Sequence, residues 1–134
     1  MFEESQLIDL IEASTGFVTS QTTDSVVQTL NSISSPRVYV GHKGVMVKNP
    51  NFLFANGYEE YDNPKVLLTK IQIICLRSIF VDTLLKVQAA YKNFSPVNDA
   101  DYSRLFFIQG NVLANTENSI WYEEEVGLIF PAIT

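Results

Sequence analysis

A chain of 134 residues, 46% of them hydrophobic, is long enough for one domain that buries roughly two-thirds of its unfolded surface in a single core, and too short for two full domains. Its 15 acidic against 9 basic residues leave a formal charge of -6, which argues against a polyphosphate backbone as main partner, because counterion release needs clustered Lys and Arg. The single cysteine, Cys75, cannot close an internal disulfide, no paired Cys or His spacing offers a zinc site, the acidic opening MFEESQLIDL is unlike a secretory signal, and the most apolar run, VLLTKIQIICLRSIFVDTLL, carries too many polar residues to span a membrane.

The first expected element is a helix from about Glu3 to Ala13, with Leu7, Leu10, Ile11 and Ser14 at helical spacing, acidic residues in its early turns and Gly16 at its end. After the polar link FVTSQTT, the segment Asp24 to Ile33 repeats the pattern through Val26, Val27, Leu30 and Ile33, with Thr23 or Asp24 as cap and Ser35-Pro36 as stop. RVYVGHKGVMVK is rich in strand formers around a glycine-flanked GHKG, which predicts a hairpin or a strongly bent strand. NPNFLFANGYEEYDNP, with two Asn-Pro pairs and an Asn-Gly, reads as a long loop; its Phe52, Phe54, Tyr58 and Tyr61 are candidates for burial by a partner.

Val66 to Leu76 is expected as a central strand, because both of its faces are apolar: Leu67, Thr69, Ile71, Ile73 and Cys75 on one, Leu68, Ile74 and Leu76 on the other. A helix should follow from Arg77 or Ser78 to near Phe94, with Phe80, Leu84, Val87, Tyr91 and Phe94 on one stripe, Val81 and Leu85 widening it, and Asp82 and Lys86 as an i,i+4 pair outside it. SPVNDAD connects to a closing hairpin in which Leu105 to Leu113 pairs with Ile120 to Phe130 around the turn NTENS. The order of elements predicts a single α+β domain over residues 1–134: a largely antiparallel sheet of about four to five strands with helices packed on one face.

Three consecutive carboxylates in the closing strand, Glu123, Glu124 and Glu125, are the most conspicuous polar feature. Strand alternation puts Ile120, Tyr122, Glu124, Val126, Leu128 and Phe130 on one face and Trp121, Glu123, Glu125 and Gly127 on the other. Glu123 and Glu125 thus read as a solvated pair, whereas Glu124 interrupts an apolar stripe and must sit at the sheet margin, in a bulge, or beside a partner. Arg37, Lys43, Lys65 and Arg104 are the candidate cations, for an ion pair within the chain or between subunits. A small enzyme or ligand-binding domain would need Glu124 and the only histidine, His42, to converge in a cleft. GHKG lacks the spacing of a phosphate-binding loop and is expected as a hairpin tip; Cys75 lies on an apolar face, and no serine stands in a nucleophile elbow. No catalytic residue, metal site or cofactor is therefore expected, and the loop aromatics with Glu59 and Glu60, together with Trp121, suit a module that touches copies of itself.

In SPRVYVGHKG after a helix, in VLLTKIQIICLR running into a long amphipathic helix, and in the closing SRLFFIQGNVLANTENSIWYEEEVGLIF, the chain resembles the tail terminator (tail completion) proteins of long-tailed bacteriophages. The resemblance spans about Leu7 to Pro131 and is one of layout; the loop between Asn49 and Pro64 is longer and more aromatic than that family's pattern. It implies a structural virion protein, made in the host cytoplasm, that caps the tail tube at its neck end as a homohexameric ring, ends tube polymerisation and forms the surface for head-tail joining. The partners implied are further copies of the chain, the tail tube protein and a head-tail connector or neck protein, with the tail sheath as a further candidate; neither membrane nor specific nucleic acid is among them. Subunit and tube contacts would fall on the loop and hairpin: Phe52, Phe54, Tyr58, Glu59, Glu60, Tyr61, Trp121, Glu123, Glu124 and Glu125, with Arg37, Lys43 and Arg104. The nearest alternative is another neck component, a head-closure or head-tail joining protein.

Overall fold

The computed structural model describes residues 4–22, 30–47, 64–92, 94 and 105–131. In chain order these form helix α1 (Glu4–Thr15), strands β1 (Val18–Gln21), β2 (Arg37–Val47) and β3 (Pro64–Leu76), a 3-10 turn (Arg77–Ile79), helix α2 (Phe80–Tyr91), and strands β4 (Phe106–Asn115) and β5 (Ser119–Pro131). The strands make one five-stranded open sheet in the order β1-β2-β3-β5-β4, antiparallel throughout except for β1, which runs parallel to β2. The fold is α+β, and β3 is its central strand. Among the described residues no helix is long and apolar enough to cross a membrane.

α1 ends where Gly16 takes a positive φ of 77° and its N–H donates to the Glu12 carbonyl at 2.9 Å, a conformation that costs glycine little. α1 and α2 lie on the same face of the sheet. Leu7 and Ile11 of α1 and Val87 and Tyr91 of α2 are buried against Val38 and Val40 of β2, Leu67, Ile71, Ile73 and Cys75 of β3, and Val126 and Leu128 of β5. At roughly 25 cal/mol per Å² of apolar area removed from water, this layer is the main source of stability. On the opposite face a smaller cluster joins Leu30, Tyr39 and Ile74, with Ile33, Ala114 and Trp121 packed around it; residues 30–32 are helical.

Four expectations are corrected. FVTSQTT holds a strand: Val18–Gln21 is short and polar, so it carries no hydrophobic alternation, and backbone pairing with β2 forms it. Of the two readings of GHKG, the hairpin tip is overturned and the bent strand holds. β2 continues through it against β3, with a bulge between His42 and Gly44 where Gly44 takes a φ of 153°, a bend that glycine tolerates. Val81 and Leu85 do not widen the core stripe of α2 but stand 67% and 59% exposed, because the buried line runs through Thr83, Val87 and Tyr91. The regular helix also stops at Tyr91, and Phe94 is buried beyond it. The loop expected at 49–64, but for Pro64, which opens β3, and most of the segment from Asp24 to Ile33 lie outside the described residues.

Candidate functional site

The glutamate run is divided by the pleat of β5. Glu124 points into the helix-covered face and is fully buried, opposite Ile71 of β3 and Gly110 of β4. It is at no margin. The Tyr122 hydroxyl donates to Glu124 Oε1 at 2.9 Å, the Gln88 amide to the same oxygen, and the Tyr91 hydroxyl to Oε2. Three neutral donors from α2 and β5 thus hold the carboxylate, which lowers the heavy cost of burying it. Burial, and after it the hydrogen bond to Glu124 and its charge, hold both tyrosine hydroxyls well above their ordinary pKa, so both remain donors.

Gly110 makes this geometry possible. A Cβ there would stand 2.0 Å from the Tyr122 hydroxyl oxygen and 2.8 Å from its Cζ, so the tyrosine ring lies across bare backbone of β4 on its way to Glu124. The other side of that ring meets Phe80 of α2 edge-on, with centroids 5.3 Å apart. One residue of β5 therefore ties together β4, the start of α2 and the buried carboxylate.

Glu123 and Glu125 face the other way, as alternation predicts. Glu125 takes an ion pair from Lys43 Nζ at 2.5 Å, and that contact raises the lysine's pKa. Glu123 accepts from Gln72 Nε2 at 3.1 Å. Lys70 lies between Gly41 and Glu125 in the same rows. Arg37 is exposed on this face, two residues before Tyr39, and Trp121 packs half-buried on the small cluster at its end. Of the residues expected at contacts, Arg37, Lys43, Trp121, Glu123 and Glu125 are brought to one face, while Glu124 stands on the other. Phe52, Phe54, Tyr58, Glu59, Glu60, Tyr61 and Arg104 lie outside the described residues, as does the Lys65 side chain.

His42 sits in the strand, where its Nδ1 is 3.0 Å from Thr69 Oγ1 and its backbone N–H donates to Glu4 Oε1 at 3.2 Å. Cys75 is buried, and burial pushes its thiol up, away from a reactive thiolate, against a smaller lowering by a hydrogen bond with Thr83. Among the described residues no three His, Cys, Asp or Glu side chains gather as a metal site would require.

Two features escaped the sequence reading. Gln88 and Tyr91 lie 36 and 33 positions before Glu124, and nothing local joins them to it. The second is the apolar exposure of the outer strand β4, which was expected as a strand of the closing hairpin but in which Phe107, Val112 and Leu113 are 54%, 50% and 42% exposed. A signal for it did exist, since FFIQGNVLAN contains no charged residue. In comparisons with models of known protein families and with curated proteins, nothing matches this chain.

Proposed function

We propose that this protein is a structural virion protein of the tail-terminator kind: its copies close into a homohexameric ring that caps the tail tube, stops tube growth and presents a surface to the head-tail connector or neck. The observation that carries this reading is the gathering of Arg37, Lys43, Trp121, Glu123 and Glu125 on the sheet face opposite α1 and α2, beside the strand edge at β4. Charged groups in such a surface set register and partner choice more than affinity. Glu124, expected among the contacts, is fully buried and takes no part in that surface; its oxygens are spent on internal donors and hold α2 to β5. The layout of helix, sheet and hairpin is the one the family resemblance implies.

The mechanism is thermodynamic. A growing tube end exposes unpaired surface, and a ring of matching symmetry covers it while offering a different surface outward. Each subunit of a closed ring has two neighbours, so modest individual contacts suffice. The experiment is negative-stain imaging of the purified protein with tail tubes, alongside light scattering. Rings at tube ends and tubes of fixed length are expected; a chain that stays a monomer and never docks to tube ends refutes the reading. Docking to isolated portal or connector, with none to tubes, moves the protein to the neck proper.

A further inference from the structure

The two outer strands of the described sheet are built differently. β1 has only four residues, and its Thr19 N–H already donates to Glu12 Oε1 at 3.3 Å. β4 has ten residues, none of them charged and none a proline, and no described strand pairs with its outer side. Strands at sheet edges are ordinarily blunted by charge, proline or shortness. Bulges at Ile108 and Leu113 interrupt β4, but Gln109 to Val112 between them run in unbroken register against β5.

The apolar surface gathers on the same side. Seven large apolar residues are exposed among the described ones, and six of them, Ile79, Val81, Leu85, Phe107, Val112 and Leu113, belong to β4 or to the turn and first half of α2. They are joined through Tyr122, which is paired with Val112 in the sheet and packed on Phe80. Of the charges on that stretch, Asp82 and Lys86 pair with each other at 3.1 Å, and Arg77 in the turn donates to the Thr116 carbonyl at 3.4 Å. An apolar surface gathered in this way marks an interaction site.

We infer that β4 pairs antiparallel with β4 of a second copy of this chain, so that the free protein is a two-fold dimer with one continuous ten-stranded sheet. Antiparallel edges are self-complementary in their hydrogen bonds, and an isologous contact covers the apolar patch of both copies at once. Electrostatics selects the same surface. Two chains of net charge -6 repel each other, and an uncharged strand lets them meet without burying a carboxylate. β1 is no mate for β4, because it is short and Glu12 occupies its Thr19 N–H. The inference concerns the chain away from any tail and goes beyond the ring reading.

The test uses the full chain alone, by light scattering across micromolar concentrations, with variants carrying one cysteine added to the buried Cys75 oxidised in parallel, beside the parent chain as control. A mass of two copies is expected. Asn111→Cys, at the centre of β4, should convert to a disulfide-linked dimer, since paired residues near a two-fold come within bridging distance. Ser20→Cys on β1 should not. Val112→Lys sets like charges close to the axis and should weaken association by on the order of tenfold or more, with the circular dichroism spectrum unchanged. A one-copy mass at every concentration overturns the inference, as does a dimer indifferent to Val112→Lys or one that cross-links through Ser20→Cys. Tube capping is scored separately: capped tubes without a free dimer overturn this inference and leave the ring, and a free dimer with tubes never capped does the reverse.

Discussion

Glu124 and Glu125 are neighbours on one strand, yet one is sealed against α2 by three donors and the other meets a single exposed lysine. The difference comes from the pleat alone, which turns consecutive side chains to opposite faces. On the covered face the carboxylate is structural, because each of its donors would be stranded without it. On the open face the same group is a surface charge whose pairing water and salt weaken. Carboxylate chemistry therefore says little about role until the face is known.

The contrast can be broken most forcefully at Glu124. Glu124→Ala removes the acceptor for Gln88, Tyr91 and Tyr122, and at roughly 1–3 kcal/mol per stranded donor the loss should be about 3–9 kcal/mol in urea unfolding. Glu124→Gln keeps the shape and loses the charge, and should cost about 1–3 kcal/mol. Next in size is Gly110→Ala, whose methyl collides with Tyr122; expelling that ring from its place should cost about 1–3 kcal/mol while leaving the Tyr91 bond to Glu124 intact. A fluorescence or NMR probe of Tyr122 would report its displacement.

Alkali probes the covered face without mutation. The Tyr91 and Tyr122 hydroxyls have raised pKa values in the folded chain, so their contribution is present in full below the unfolded tyrosine value of about 10 and is lost as pH rises above it. Unfolding free energy should therefore hold near pH 8 and fall above about pH 10, and Tyr91→Phe should make that fall shallower. The smallest effect is expected on the open face: Lys43→Met should leave the urea midpoint within error of the parent, with any difference vanishing in molar salt.

The sequence displayed this division of faces before it displayed the reason for it. Alternation from Ile120 to Phe130 sets Glu124 among apolar residues and turns Glu123 and Glu125 outward, and the two-sided apolarity of β3 marks it as central. Two of the three donors of Glu124, Gln88 and Tyr91, were hidden because they sit on α2, at a helical spacing that speaks only of core, whereas Tyr122 was already on the same face of β5. Residues 18–21 were unreadable for a different reason: four mostly polar residues form a strand only when a neighbour supplies the ladder. GHKG left a hairpin and a strongly bent strand both open, with the hairpin tip favoured, and it is the bend within one continuous strand, at a bulge, that the glycines permit. The fold thus rests on patterns longer than about one turn or one strand, while the site rests on contacts between elements far apart in the chain.

The strand order carries a consequence for how the molecule is made. β5 lies between β3 and β4 although it is the last of the five to be synthesised. On the ribosome the nascent sheet must therefore wait, with one long side of β3 and the tyrosine and glutamine of α2 lacking their mates, until the final strand emerges and slots in. Chains extended through β4 but not yet through β5 are the vulnerable species, and a translation product stalled or ended there would present sticky backbone where the folded protein has its most protected ladder.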